Sequence, residues 1–214
     1  MKEADVRAEV FNLMRRLWLW PVTQVDTVQC PGCGRLHHPP TGRPDILGLN
    51  PAGRSIVVEV KTFPEPRKSG GWEQASCTFP FSAIQDNQRQ WLKNFDEDNI
   101  AGSSYGGAYL ALGTRHGTAG AKKNPRYLWL IPWYKWLRVE DKLCTYQESL
   151  PLSVIKGLRK GIQENNLTAY DLLKQWSLEW QDGHWHLPVN HPLQVFITCQ
   201  GERDLYKENL RWRS

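Results

Sequence analysis

The chain has 214 residues, of which 40% are hydrophobic and 23% charged, so it can bury a core and is not disordered by composition. No apolar stretch approaches the roughly 20 residues of a membrane span, and charged residues interrupt the N-terminus, so we expect neither a membrane anchor nor a signal peptide. Five cysteines exclude a disulfide scaffold and favour a reducing compartment, the cytoplasm. The net charge is +5, and the whole excess lies in residues 1–140, a mild indication of a polyanionic partner.

The first half of the chain predicts a helix followed by a strand hairpin. Residues 3–18 carry apolar side chains at three- and four-residue intervals, which predicts an amphipathic helix. Residues 22–29 alternate apolar and polar, as a half-buried strand does. Residues 44–49 and 55–61 predict two further strands, and the Asn-Pro-Ala-Gly turn between them predicts a hairpin.

The second half predicts helices and strands in mixed order. A loop is expected over residues 64–78, and a helix over 82–95 with Ser82 as its N-cap. The remaining expectations are strands over 107–112 and 127–132 joined by a basic loop, helices over 151–165 and 168–180, a short hairpin in WQDGHWHLP and a final strand. The predicted fold class is α/β, a central mixed sheet flanked by helices with a mostly helical C-terminal extension.

The segment RPDILGLNPAGRSIVVEVK, residues 43–61, has the composition of a metal-assisted hydrolytic site. Asp45 opens one strand, while Glu59 and Lys61 are two residues apart on the next and therefore share a face. Charged groups inside such an apolar strand are costly unless they are compensated, and a divalent cation relieves the repulsion between two carboxylates. Carboxylate oxygens suit Mg²⁺ or Mn²⁺, and a neighbouring lysine can orient a water or neutralise a phosphate. The alternative is a partly exposed Glu59–Lys61 ion pair with Asp45 capping a turn.

This segment resembles the PD-(D/E)XK nuclease superfamily. Pro44-Asp45 followed by Glu59-Val60-Lys61 matches the motif, and residues 78–88, TFPFSAIQDNQ, are similar to the SFPLxxIxxxQ segment of bacterial RecU-type Holliday junction resolvases. GGAYLALG and RYLWLIPWYKWL are similar to the paired strands that close that fold. The resemblance covers roughly residues 1–140, so we expect a nuclease core there and a C-terminal extension of unknown role at 141–214.

The resemblance implies a restriction-endonuclease-like fold and a role for each matching residue. Asp45 and Glu59 would bind Mg²⁺, Lys61 would assist the attacking water, Glu9 would add a helix carboxylate to the metal site, and Gln88 would support the site. For Glu9 the alternative is a solvated acid, and for Gln88 a plain helix-surface residue. The sequence departs from the family in its CPGCG insert, its longer loop after the lysine and its extension.

The CPGCG insert, within residues 26–43, is a candidate zinc knuckle. Cys30 and Cys33 have the spacing of a zinc-binding turn, and His38 follows at the distance of a third ligand. The fourth ligand would fall at Arg43, which cannot bind zinc, so another side chain would have to substitute; the candidates are His37, Asp26 and Cys77. The alternative is a reduced Cys pair beside a surface His-His turn.

Basic and aromatic residues near these segments are candidates for contacting DNA, mostly at phosphates. Trp72, in a polar loop, is a candidate for stacking on an opened base pair. The best candidates are Arg43, Arg67, Lys68, Trp72, Arg89, Lys122 and Lys123. For each charged residue the alternative is a solvated surface charge.

Taken with the resemblance, these residues predict a Mg²⁺-dependent, structure-specific DNA endonuclease. We expect a Holliday junction resolvase that works as a homodimer, cuts opposing strands of a four-way junction and acts in a bacterial cell, encoded by the bacterium or a phage. The alternatives are another PD-(D/E)XK endonuclease, restriction-like or DNA-processing, and a catalytically silent DNA-binding module that keeps the fold.

Overall fold

The computed structural model describes eleven segments of the chain. They are residues 3–17, 19–23, 28–29, 36–37, 43–49, 55–63, 78–100, 107–114, 127–144, 149–151 and 174–193. Their architecture is mixed α/β, a central mixed sheet flanked by helices, as the sequence predicts. No helix in these segments is both long enough and apolar enough to cross a membrane.

The described elements alternate between helices and strands along the chain. In order they are α1 (Glu3–Arg16), β1 (Trp20–Thr23), β2 (Val28–Gln29), β3 (Leu36–His37), β4 (Ile46–Leu49), β5 (Ser55–Thr62), β6 (Thr78–Pro80), a 3₁₀ turn (Phe81–Ala83), α2 (Asp86–Ile100), β7 (Ala108–Thr114), β8 (Tyr127–Pro132), α3 (Trp133–Cys144), β9 (Ser149–Pro151), β10 (Glu179–Gln181) and β11 (His184–His186).

Five strands form the central sheet in the order β1-β4-β5-β7-β8. The β4–β5 pair is antiparallel, as the predicted hairpin requires, and the β7–β8 pair is antiparallel as well. β5 and β7 are parallel, and α2 lies in the connection between them, as a crossover between parallel strands requires. The sheet therefore has one parallel pair, β5–β7, with antiparallel pairs on either side of it.

The two faces of the sheet bury two separate apolar layers, because successive strand side chains point to opposite faces. On one face α1 packs its stripe of Val6, Val10, Leu13 and Met14 against Val58 and its neighbours. On the other face the side chains of α2 and α3 pack against β5, β7 and β8. The odd-numbered residues of β5, Glu59 and Lys61 among them, therefore point toward the α2 side.

Gly113 allows α1 to lie close to the sheet. A β-carbon added at this position would approach Val6 Cγ2 to 2.5 Å and Val6 Cγ1 to 3.0 Å, and real contacts of this kind are essentially never so short. The N-terminal turn of α1, which contributes Glu3 and Arg7 to the site below, is held in place by this contact.

The start of α2 differs from the prediction. The helix begins at Asp86, whereas Ser82 lies in the preceding 3₁₀ turn. Gln85 precedes the first helical residue, and its backbone N–H donates to Gln88 Oε1 at 3.0 Å. This is half of a capping box, in which the third helical residue binds the N-cap N–H, so Gln85 replaces Ser82 as the N-cap. Trp91, on this helix, is 41% exposed.

The region after β8 also differs from the prediction. The strand predicted over 127–132 is confirmed, but it is followed by α3, residues 133–144, which was not predicted. Residues 179–181 form β10, although a helix was expected through 180. The predicted WQDGHWH hairpin is confirmed as β10–β11. Asp182 and Gly183 have φ values of 51° and 79°, the left-handed backbone that a two-residue hairpin turn requires and that Asp-Gly favours.

The described part of the C-terminal extension packs on the central sheet. Leu178 N–H donates to Leu128 O at 2.8 Å, and Leu130 N–H donates to Trp176 O at 3.1 Å, so this segment extends the free edge of β8. His191, fully buried, donates from Nε2 to Leu130 O at 2.7 Å. Its burial lowers the pKa to about 4, which keeps the ring neutral. Residues 174–193 thus share the cores of the segments before 140.

Several sequence-based expectations lie outside the described residues. They are the Asn50-containing turn, the CPGCG insert, the loop at 64–77, the basic loop at 115–126, the helix over 151–165 and the last strand.

Candidate active site

The β4–β5 hairpin brings Asp45 and Glu59 together. Its register pairs Ile46 with Val58, so Asp45, which immediately precedes β4, lies opposite Glu59. The Val60 backbone N–H donates to Asp45 Oδ2 at 2.8 Å, which fixes this carboxylate against the strand. The pairing predicted from the sequence is therefore present in the folded chain.

Glu59 is a fully buried carboxylate whose two oxygens differ in their environment. Oε1 accepts from Lys61 Nζ at 2.7 Å and from Gln88 Nε2 at 2.5 Å. Oε2 is buried and has no hydrogen-bond partner among the described residues. Burying an anionic oxygen without a hydrogen-bond partner destabilises the folded state, so a ligand bound at Oε2 would lower the free energy of the folded chain.

Gln88 joins the start of α2 to this carboxylate. Its Oε1 accepts the Gln85 N–H at the cap of α2, and this leaves Nε2 to donate to Glu59 Oε1. The orientation of the side-chain amide is therefore determined by its two partners. Gln88 therefore contacts Glu59 directly from the start of α2.

Burial raises the pKa of Glu59 to about 7, with Asp45 as the second cause. The attraction of Lys61 opposes both effects. Near neutral pH, Glu59 is therefore close to the midpoint of its titration. Strongly shifted carboxylates of this kind are concentrated at functional sites.

The first turn of α1 supplies two further charged groups. Arg7 Nη2 lies 2.8 Å from Asp45 Oδ1 and 3.8 Å from Glu3 Oε1. Glu3 also feels the charges of Lys61 and Asp45, and burial is the main cause of its raised pKa. Glu3 and Arg7 therefore complete a charged cluster with Asp45, Glu59 and Lys61.

The α1 carboxylate that lies with this cluster is Glu3, and Glu9, which was predicted for that place, lies elsewhere on the helix. The two glutamates are six residues apart, and at about 100° per residue they point to different sides of α1. Glu9 interacts instead with Arg16, His184 and Trp185, beside the β10–β11 hairpin. The sequence contains one signal that distinguishes Glu3, its pairing with Arg7 at a four-residue interval in the first turn.

The carboxylates fit a Mg²⁺ site built mainly from one acidic pair. Within the described segments, no three or more His, Cys, Asp or Glu side chains are grouped so that they would hold a metal ion by themselves. Mg²⁺ in enzymes commonly uses one or two carboxylates and completes its coordination with waters and substrate phosphates. Asp45 and Glu59, with the unpartnered Glu59 Oε2, meet that requirement.

Arg89 has a structural role in the folded chain. Its guanidinium makes a two-pronged ion pair with Glu140, with both N–O distances 2.6 Å, and donates to the carbonyls of Ile84 and Phe81. These bonds join the start of α2 to α3 and involve all three nitrogens of the guanidinium. A contact of Arg89 with DNA stays a prediction.

Of the predicted DNA contacts, Arg43 also lies among the described residues. Its side chain is exposed, two residues before Asp45. The other candidates for DNA contact and for zinc lie outside the described residues: Arg67, Lys68, Trp72, Lys122, Lys123, Cys30, Cys33 and His38. Their roles stay predictions.

No protein-family model and no curated protein matches this chain. Its chemistry is therefore inferred from the geometry of the site itself.

Proposed function

We propose that this chain is a Mg²⁺-dependent DNA endonuclease with a restriction-endonuclease-like core. The observation that carries the proposal is Glu59: it is fully buried, its pKa is raised to about 7, Asp45 lies opposite, and Oε2 has no partner among the described residues. A carboxylate kept in this state is expensive for folding alone and useful for holding a divalent cation beside a phosphate.

The residues of the cluster divide the work of hydrolysis. Asp45 and Glu59 would hold Mg²⁺, which when bound supplies Lewis acidity toward the scissile phosphate and makes a water more acidic. Lys61, whose Nζ is 2.7 Å from Glu59 Oε1, is placed to orient the attacking water and to balance negative charge that develops on the phosphate. Gln88 holds Glu59 in the required orientation from α2.

Arg7 holds the acidic cluster together when no divalent cation neutralises it. It lies 2.8 Å from Asp45 Oδ1 and also within ion-pair distance of Glu3. In this arrangement the guanidinium offsets the repulsion that Asp45 and Glu59 exert on each other. Asp45 Oδ1 would have to exchange this partner for the metal, so Arg7 and Mg²⁺ would compete for one oxygen.

The finer assignment is a junction-resolving enzyme acting as a homodimer on four-way DNA junctions in the cytoplasm. It is supported by the match of TFPFSAIQDNQ to the resolvase segment, whose glutamine is Gln88. In this chain Gln88 donates a hydrogen bond to Glu59, a contact that can orient the proposed metal-binding carboxylate. Two copies of the site would cut opposing strands and leave 5′-phosphates.

Cleavage of a synthetic four-way junction tests the proposal. The purified chain is incubated with the junction, and with a linear duplex of the same sequence, with and without Mg²⁺, and the products are mapped on sequencing gels. Symmetric cuts in opposing strands of the junction, dependent on Mg²⁺, are the expected result. Equal cleavage of the duplex would favour another PD-(D/E)XK endonuclease. Binding of either DNA with no cleavage in Mg²⁺ or Mn²⁺ would favour the silent DNA-binding module.

A further inference from the structure

A groove of about 580 Å³ lies between α1 and the β10–β11 hairpin, apart from the acidic cluster. This volume falls in the range of roughly 300–1,000 Å³ that small-ligand sites have. The residues lining it that matter here are Glu9, Asn12, Arg15, Arg16, Trp180 and His184. None of them takes part in the catalytic arrangement above.

Trp180 presents an aromatic surface beside this groove. Its side chain is 44% exposed, whereas its cross-strand partner Trp185 is 3% exposed. The two rings meet at an angle of 66° with their centroids 5.0 Å apart, so the Trp180 ring packs against the buried Trp185 ring. The tight Asp182–Gly183 turn fixes the hairpin that carries both rings. Such a rigid, exposed ring is well suited to stacking on a flat ligand.

The groove carries charges of both signs. Arg15 and Arg16 are exposed at the end of α1, and Arg16 is oriented by a 2.7 Å hydrogen bond from Nη2 to Trp185 O. Glu9 is half-buried, and its pKa is raised by burial although Arg16 and His184 oppose the rise. The indole N–H of Trp185, buried and without a hydrogen-bond partner in the described segments, lies close to Glu9.

This combination selects among ligand classes. A simple anion would be repelled by Glu9, and a simple cation would be repelled by Arg15 and Arg16. A nucleotide can contact the aromatic, the acidic and the basic groups of the groove at once. Its base can stack on Trp180, and the N–H groups at the edge of the base can donate to Glu9. Its phosphates can accept hydrogen bonds from the arginines.

We propose that this groove binds an unpaired nucleotide of a DNA strand. Glu3 and Glu9 are about 9 Å apart along the axis of α1 and point to different sides of it, so the nucleotide would lie beside the scissile phosphate rather than at it. The inference rests on the proposed function and deepens it, because it makes an unpaired strand, such as a junction opens, part of what the enzyme recognises.

Binding of single-stranded DNA in EDTA tests this inference without any cleavage. A fluorescein-labelled thymidine 12-mer is titrated with the full chain, and anisotropy gives the dissociation constant. Trp180→Ala should weaken binding by at least fivefold, in line with the contribution of about 1–3 kcal/mol per stacked base. Trp91→Ala is the matched control, since Trp91 is similarly exposed but lies on α2, and it should change affinity by less than twofold.

Two further variants guard against a folding artefact. Trp180→Phe retains a ring against Trp185 and should bind within threefold of wild type. Arg15→Gln changes an exposed side chain outside the cores and should weaken binding at low salt by about threefold. Wild-type affinity in Trp180→Ala, or no binding of the 12-mer by wild type, would overturn the inference.

Different results would overturn the proposed nuclease activity and the proposed nucleotide groove. A wild-type chain that cleaves junctions while Trp180→Ala binds the 12-mer normally would overturn the nucleotide groove alone. A chain that binds the 12-mer through Trp180 but never cleaves DNA in Mg²⁺ would overturn the nuclease and leave the groove standing.

Discussion

Gln88 Nε2 lies 2.5 Å from Glu59 Oε1, and this contact joins the cap of α2 to the carboxylate at the centre of the sheet. The same glutamine accepts the Gln85 N–H, so one side chain both starts the helix and orients the acid. With Lys61 on the same oxygen, Glu59 directs its other oxygen to a place where no described group meets it. Helix capping and the preparation of the site thus depend on one residue.

Neutralising either member of the acidic pair should abolish cleavage. Asp45→Asn and Glu59→Gln each remove charge from the proposed metal site while keeping the size of the side chain. We expect cleavage to fall by at least a thousandfold, and binding of an uncleaved junction in Ca²⁺ to stay within threefold. Asp141→Asn, at an exposed carboxylate on α3, is the control. A variant still within tenfold of wild type, about 1.4 kcal/mol in barrier, would place the metal elsewhere.

Glu3, rather than Glu9, should influence the binding of Mg²⁺. Glu3→Gln removes a negative charge that acts on Asp45 and Glu59, so the Mg²⁺ concentration for half-maximal stabilisation should rise severalfold. The measurement is the melting temperature as a function of Mg²⁺ concentration. The same titration of Glu9→Gln should follow wild type, because Glu9 lies beside the β10–β11 hairpin. A rise in Glu9→Gln and none in Glu3→Gln would restore the sequence-based assignment.

The titration of Glu59 should give folding stability a definite pH dependence. Its pKa in the folded chain is about 7, above the ordinary value of 4.5, so the folded state favours the neutral acid. This contribution is complete below pH 4.5 and is lost as the pH rises through about 7. Between pH 4.5 and 8, the stability of wild type relative to Glu59→Gln should therefore fall by about 3 kcal/mol.

Urea unfolding at several pH values, in EDTA, measures this difference. Because metal binding requires the ionised carboxylate, the stabilisation of wild type by Mg²⁺ should increase over the same pH range. A stability difference from Glu59→Gln that does not change with pH would contradict the raised pKa.

How far the sequence predicted this site depends on whether a contact is local or tertiary. The β4–β5 hairpin fixes Asp45 opposite Glu59 within fifteen residues, and the alternation of strand side chains puts Lys61 on the same face, so these contacts were predictable. It was not predictable that Glu3 is the α1 carboxylate beside this pair. That placement depends on how α1 is rotated against the sheet, and that is set by the contact of Val6 with Gly113, more than one hundred residues away.

The ion pair between Arg89 and α3 is a second tertiary contact that the local sequence could not predict. A basic residue on a predicted helix next to a catalytic segment is typical of a DNA contact, and nothing within the α2 sequence indicates that Glu140 lies within reach. The partner is contributed by α3, a helix that was not predicted from the sequence. The helix forms because Trp133, Trp136 and Val139 are buried together on one side.

Breaking the Arg89–Glu140 pair should destabilise the fold without changing the electrostatics of DNA binding. Arg89→Gln leaves Glu140, a buried acid, without its two-pronged partner, and we expect a loss of about 3 kcal/mol in free energy of unfolding. Lys93→Gln, at an exposed position on the same helix, should cost less than 0.5 kcal/mol. Urea unfolding measures both. If the salt dependence of junction binding changes more in Arg89→Gln than in Lys93→Gln, the predicted contact of Arg89 with DNA would be supported.

The CPGCG insert should hold one structural zinc ion per chain. Cys30 and Cys33 supply thiolates at the spacing of a zinc turn, and sulfur ligands suit Zn²⁺ rather than the Mg²⁺ of the acidic pair. The ligands precede β4, so the metal would brace the segment that leads into Asp45 instead of acting on the phosphate. Cys30→Ser with Cys33→Ser should therefore lower the melting temperature by several degrees and leave the position of cleavage unchanged.

Metal analysis of the purified chain measures the zinc content directly. Chelation by EDTA cannot separate the two metals, so activity is restored with Mg²⁺ alone. The double-serine variant should recover cleavage at low temperature, where its fold survives, whereas Asp45→Asn should not recover it at any temperature. This contrast separates a metal that braces the fold from one that takes part in hydrolysis. A wild-type chain that is fully stable and contains no zinc would leave CPGCG as a plain turn.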